Sequence, residues 1–221
     1  MGIREKIVAQ VEEQKVIAII RGVDPDKCLK TAQALYEGGI RMIEVTFDQK
    51  DVNKQKASVE SIRQISEYFK DAVSVGAGTV TSPELVELAA GAGAQYIISP
   101  DTNEAVIKKT RELGLVSMPG ALTPTEVQNA HRWGADFVKL FPVGSLGTGY
   151  VKAIMAPLNH IKFLAVGGVN PDNIIDYLDV GCCGVGIGGN LANKKWIEAS
   201  EYEKITETAK KLTETVEKWG K

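Results

Sequence analysis

The stretch IKFLAVGGVNPDNIIDYLDVGCCGVGIGG (161–189) contains one complete structural unit. Its first eight residues are a short apolar run ending in Gly167-Gly168, residues 171–180 have helical character, and GCCGVGIGG (181–189) is a second apolar run. A strand, a helix-length crossover and a second strand build parallel sheet, because only a crossover returns the chain in the same direction. The same alternation extends back through VIAIIR (16–21), IRMIEVTF (40–47), AVSVGAGT (72–79), AQYIISP (94–100), LVSMPG (115–120) and DFVKLFP (136–142), giving eight candidate strands. Helical stretches are expected at 25–38, 57–70, 83–91, 103–113, 124–133, 148–157, 171–180 and 200–219. In the last, Ile205, Ala209, Leu212, Val216 and Trp219 recur at three- and four-residue steps. Ahead of the first strand, Ile3, Ile7, Val8 and Val11 mark one further helix.

Punctuation agrees with the periods. Ser82-Pro83, Thr123-Pro124 and Asn170-Pro171 each place a side-chain acceptor before a proline suited to a first helical turn, and glycines such as Gly93, Gly114 and Gly134 stand at expected helix ends. Eight unbroken strand–helix units predict a (β/α)8 TIM barrel with an extra N-terminal helix, as one domain over 1–221. An open doubly wound sheet is the competing arrangement, since its units read alike.

The charge balance narrows the partners. With 26 basic and 28 acidic side chains, a net charge of -2 and no basic block, the chain carries no footprint for nucleic acid or an anionic membrane. The N-terminal stretch lacks a signal-peptide core and no segment is long enough to span a bilayer, so a cytoplasmic protein is expected. Cys28, Cys182 and Cys183 have no metal-site or redox spacing and read as buried small hydrophobes. His131 and His160 are the two histidines, too few to suggest a metal, and no cofactor is expected.

Polar residues on the inward face of a barrel strand need a reason. Alternation along IRMIEVTF puts Met42, Glu44 and Thr46 on one face and Ile43 and Val45 on the other; along DFVKLFP it groups Phe137, Lys139 and Phe141 against Val138 and Leu140. If the aliphatic sets pack on the helices, Glu44 and Lys139 share the interior. One reading is a buried ion pair, a weak stabiliser that is costly to keep. The other is chemical: a lysine desolvated between Phe137 and Phe141 loses its proton more readily and becomes a nucleophile for a ketone. Arg21 and Thr79 close the first and third strands and complete a plausible carboxylate-binding and proton-transfer set. Gly167-Gly168 and Gly188-Gly189, ending strands seven and eight, suit a phosphate cradle of backbone amides.

Taken in order and spacing, IIRGV (19–23), IEVTF (43–47), GAGTV (76–80), IISP (97–100), PGALTPTE (119–126), VKLFP (138–142) and GGV (167–169) resemble the 2-keto-3-deoxy-6-phosphogluconate / 4-hydroxy-2-oxoglutarate aldolase family, from about residue 15 to about 192. The resemblance implies Lys139 as the Schiff-base lysine, Glu44 as general acid/base and Thr79 as a ligand of the substrate carboxylate. Pro100 and Phe141, within the shared IISP and VKLFP motifs, are expected to touch substrate, and Gly167, Gly168, Gly188, Gly189 and Asn190 to receive the phosphate. It further implies metal-independent cleavage of a 2-keto-3-deoxy acid to pyruvate and a phosphorylated aldehyde, or of 4-hydroxy-2-oxoglutarate to pyruvate and glyoxylate, in a homotrimer, with a gluconate-type substrate preferred over the galactonate type. Two departures stand out. Asp48 occupies the position of a family arginine, leaving Arg21 as the candidate replacement, and Ala165-Val166 stands where many members have Pro-Thr, with Asn190 in place of a serine. A phosphosugar epimerase, or a barrel that binds phospholigands without turnover, are the alternative readings.

Overall fold

A computed structural model describes residues 2–220. Among the described residues nine strands run parallel: β1 (Val16–Ile20), β2 (Met42–Thr46), β3 (Ser74–Gly78), β4 (Tyr96–Ile98), β5 (Val116–Met118), β6 (Gly120–Ala121), β7 (Val138–Leu140), β8 (Phe163–Val166) and β9 (Gly184–Ile187). They form one sheet in the order β5-β4-β3-β2-β1-β9-β8-β7-β6. Helices α1 (Ile3–Gln14), α2 (Pro25–Glu37), α3 (Val52–Phe69), α4 (Pro83–Gly91), α5 (Glu104–Glu112), α6 (Pro124–Arg132), α7 (Gly147–Met155), α8 (Ile174–Asp179), α9 (Lys194–Glu198) and α10 (Tyr202–Trp219) complete the α/β barrel, with α1 as the extra N-terminal helix.

The ninth strand comes from a break in the expected fifth. Pro119 has no N–H to give a ladder, so the run from 115 onward divides into β5, paired with β4, and β6, paired with β7. At the break Met118 O accepts from the Ser99 amide at 3.3 Å and Pro119 O accepts from the Lys139 amide at 2.9 Å. The chain thus passes its pairing from one neighbour to the other at the proline, and this closes the barrel.

The strand faces separate as the alternation predicts. Ile43, Val45, Val138 and Leu140 belong to the large core between sheet and helices. Ile17, Met42, Tyr96, Val116, Phe137 and Leu164 form a second core inside the barrel, joined by Ile7 and Val11 of α1. The N-terminal helix therefore plugs the lower end of the barrel with apolar side chains, so that solvent reaches the interior from the strands' C-terminal end. Its Ile3 does not take part and is exposed.

Several boundaries differ from the sequence reading. Helix α3 starts at Val52 rather than near 57, because the Asp51 side chain accepts from the Asn53 and Lys54 amides. Asn170-Pro171 begins a turn rather than a helix: Asn170 Oδ1 accepts from the Asp172 amide, and α8 starts three residues later than expected. Ser82 and Thr123 do cap α4 and α6 through the Leu85 and Glu126 amides. Trp219 is partly exposed rather than sunk with the α10 stripe, its Nε1 donating to Asp179 at 2.7 Å. Cys28 and Cys182 are buried and Cys183 partly so, and burial pushes the first two thiols up to about 12.

Candidate active site

Glu44 sits mid-strand on β2 and Lys139 mid-strand on β7. In register, Glu44 lies beside Ile19 and Gly76, and Lys139 beside Gly120 and Leu164. With β5 and β6 counted as one position in the ring, β2 and β7 stand opposite each other. Both residues face in, above the apolar layer of Met42 and Phe137, and both are buried, at 3% and 7% exposure.

They meet at a cavity of about 500 Å³. Arg21, Glu44, Thr79, Pro100, Lys139 and Phe141 line it, and so do Gly167, Gly168, Gly188, Gly189 and Asn190; every site residue expected from sequence borders the same space. Arg21, Thr79, Phe141, Gly167 and Gly188 each follow directly on the last residue of a strand, the place where a parallel barrel collects its functional groups. Val166, noted in the sequence as a departure from the family pattern, also borders it, as do Lys194 and Gly186, which were not expected there. Val166 and Gly186 were readable from β-strand alternation; Lys194 follows an apolar run in a segment with no helical period.

Glu44 and Lys139 are tuned by their surroundings. Burial pushes the Lys139 ammonium down from the ordinary lysine range; the Glu44 charge opposes this, Arg21 adds to it, and Asp101 opposes it. Burial raises the Glu44 carboxyl, while Lys139 and Arg21 draw it back. Among the described residues no ion pair within 4.0 Å joins Glu44 and Lys139, so the two groups share a cavity without forming a close pair. The Lys139 Nζ lies 4.9 Å from the centroid of the Phe141 ring, whose face can stabilise a cation at that nitrogen. Phe141 itself is exposed at the mouth.

The walls explain why small residues stand where they do. On the neighbouring strand Gly78 stands two residues beyond Gly76, the register partner of Glu44, and a β-carbon on Gly78 would overlap the Glu44 carboxylate. Thr79 holds φ at 57°, a left-handed conformation that costs a β-branched residue about 1–3 kcal/mol. Its carbonyl accepts from Gln49 Nε2 at 2.7 Å, and Gln49 Oε1 accepts from Thr81 at 2.6 Å, which ties the loops after β2 and β3 together. Across the cavity, Gly144 N donates to Gly167 O at 2.7 Å, and a β-carbon on Gly168 would come within 2.8 Å of Gly144 Cα. The amides of Gly168, Gly189 and Asn190 find no acceptor among the described residues. Asn190 Nδ2 donates to Val169 O at 3.0 Å, so that side chain is partly occupied in holding its own turn.

Asp48 does not border this cavity. Its Oδ1 accepts from the Lys50 and Asp51 amides at 2.8 and 2.9 Å, which hold its carboxyl below the usual range. It faces a neighbouring cavity of about 360 Å³ that shares Arg21, Thr79 and Lys194 with the first. Arg21 and Lys194 are thus the cations at the junction. Among the described residues no three His, Cys, Asp or Glu side chains gather as metal ligands, and no helix is long and apolar enough to cross a membrane.

Comparison with known proteins gives a consistent picture. The family described as KDPG and KHG aldolase matches residues 7–208. The 2-dehydro-3-deoxy-6-phosphogalactonate aldolase of Escherichia coli K12 is 36% identical over 177 residues, covering 80% of this chain and 83% of that one. The KHG/KDPG aldolase of the same organism is 32% identical over 203 residues, covering 90% and 91%. A Legionella pneumophila KDPG aldolase structure, with pyruvate captured as a covalent carbinolamine, superposes with a TM-score of 0.83 at 26% identity, covering 93% and 97%. The expected leaning toward a gluconate-type substrate is not supported by these relatives, because proteins named for the galactonate type match at 36% and 35%.

Proposed function

The chain belongs to the KDPG and KHG aldolase family, a family of carbon–carbon lyases, and from that premise we propose that it works as one domain over 1–221 that cleaves a 2-keto-3-deoxy-6-phospho sugar acid, of the galactonate type, to pyruvate and glyceraldehyde 3-phosphate. The observation that carries the reading is the placement of a desolvated lysine and a desolvated glutamate on opposite walls of one cavity.

In the proposed cycle the neutral Lys139 amine attacks the C2 ketone, and loss of water leaves an iminium. That cation accepts the electron pair of the C3–C4 bond as the C4 hydroxyl proton leaves and the aldehyde forms. The enamine then takes a proton at C3, and water releases pyruvate and the free amine. Glu44, its carboxyl raised by burial, serves as the shuttle for these protons, directly or through a water. Arg21 and Thr79 hold the carboxylate, Pro100 and Phe141 flank the pyruvate half, and the open amides at Gly168, Gly189 and Asn190, with Gly167 and Gly188, receive the phosphate.

The galactonate type is supported by the 36% and 35% relatives that are named for it. The homotrimer and the cytoplasmic setting belong to the same proposal. The test is pyruvate release from the galactonate and gluconate phosphates side by side. The galactonate phosphate is expected to give the higher kcat/KM and Lys139→Ala to release none; release by Lys139→Ala at the parent rate would refute the covalent route.

A further inference from the structure

The substrate of the proposed reaction carries more negative charge than the residues assigned so far can match. A sugar-acid phosphate brings one carboxylate and a phosphate of about −1.5 to −2 at neutral pH. The charged side chains bordering the catalytic cavity are Arg21, Glu44, Lys139 and Lys194. Lys139 must be neutral to attack and then carries its charge at C2, Glu44 is an acid, and Arg21 stands at the opening to the second cavity, beside Thr79. One cation, Lys194, is left for the phosphate.

Its position suits that task. The turn Gly188-Gly189-Asn190 leads into α9, where Asn193 Oδ1 accepts from the Lys195 amide at 2.9 Å and fixes the start of the helix at Lys194. From there the Lys194 side chain borders both cavities. Its partner Glu198 lies at 3.8 Å with both side chains more than 60% exposed, a contact of the kind that contributes little and yields readily to a stronger anion. The second cavity is the poorer host for the tail: its own cation, Lys54, faces Asp24 and Asp48, and Asp48 is held ionised by two amides. The first offers uncommitted backbone amides and no carboxylate on the glycine side.

The geometry points to Lys194 as the side chain that neutralises the substrate's terminal phosphate and so sets the preference for phosphorylated over unphosphorylated acids. This rests on the aldolase reading above. It also accounts for the site's lack of a hydroxyl at Val166 and for Asn190 being drawn back to Val169: the distal anion is met by charge rather than by a ring of neutral donors.

The experiment compares kcat and KM for a 2-keto-3-deoxy-6-phospho acid and its unphosphorylated counterpart in the parent protein, Lys194→Ala and Lys194→Arg. Lys194→Ala is expected to raise KM for the phosphorylated acid about tenfold or more with kcat nearly held, lowering the preference ratio by the same factor, and Lys194→Arg to restore most of it. A parent that prefers the phosphorylated acid by a ratio that Lys194→Ala leaves intact overturns the assignment alone. A loss shared equally by both substrates overturns it too, as a structural role. A parent without any phosphate preference, or without pyruvate release, removes the underlying reading as well.

Discussion

The Glu44 carboxylate occupies the space that a side chain on Gly78 would need, so the acid is positioned by the lack of a β-carbon on the adjacent strand. Gly78 stands in register with Thr46, two residues beyond the pair Glu44 and Gly76, and Gly76 is likewise small because the Tyr96 ring packs against it. In the proposed reaction Gly78 would therefore bear on the chemistry without touching substrate.

Gly78→Ala is expected to push the carboxylate aside. A displacement on the order of 1 Å in a reacting group costs about 10²-fold in rate, and that loss should fall on kcat. The added methyl should also destabilise the fold by about 1–3 kcal/mol. Steady-state kinetics alongside thermal unfolding read both; an unchanged kcat would show that Glu44 is not held by this contact.

Glu44→Gln removes the proton shuttle but leaves the amine in place. Pyruvate release should slow by about 10²–10⁴-fold. Its stability should move the other way. A carboxyl raised by burial contributes stability that is fully present below its unfolded pKa and is lost as pH rises through the folded one. The variant escapes that loss, so its advantage in Tm over the parent should widen from about pH 4 to pH 8, the span above the usual glutamate value near 4.3. A Tm difference that is flat across this span would mean Glu44 keeps an ordinary carboxyl.

The proposed cycle assigns the acidic limb of the rate profile to Lys139. Attack needs the free amine, and burial lowers the pKa of this ammonium from the usual lysine value of about 10.4, so kcat/KM should rise with pH through a group below that value. Lys139 titration measured by 15N-labelled NMR in the unliganded protein should give the same midpoint. An ordinary lysine midpoint would contradict the desolvated amine.

Ile7 tests the plug. It is fully buried where α1 closes the lower end of the barrel, and Ile7→Ala should cost about 2–5 kcal/mol in denaturant unfolding while leaving KM close to the parent value. A large change in KM would show that the lower end communicates with the cavity above.

The barrel and much of the candidate site's lining were legible in the sequence for one physical reason: in a parallel strand the side chains alternate between helix layer and interior. Glu44 and Lys139 stood out because neighbouring Ile43, Val45, Val138 and Leu140 could only face the helices. Three features escaped. The division of the fifth strand at Pro119 depends on which neighbour each half pairs with, and a run of six apolar or small residues does not record that. Helix α9 is five residues long, too short for a period, so Lys194 looked like any surface lysine. Asn170-Pro171 carried a helix-start signal that the backbone spent on a turn, since Asn170 and Asn173 satisfy each other locally. The early start of α3 was available in Asp51, but its first turn holds Asn53, Lys54 and Lys56 with little apolar period to confirm it.

The central claim is a covalent one: Lys139 forms an imine with a 2-keto acid. Incubation with pyruvate and sodium borohydride, followed by peptide mass spectrometry, tests it in a single step. The account predicts a reduced pyruvyl adduct on the peptide bearing Lys139, dependent on both reagents and lost in Lys139→Arg. Recovery of that peptide unmodified, or an adduct on another lysine at equal yield, would contradict it.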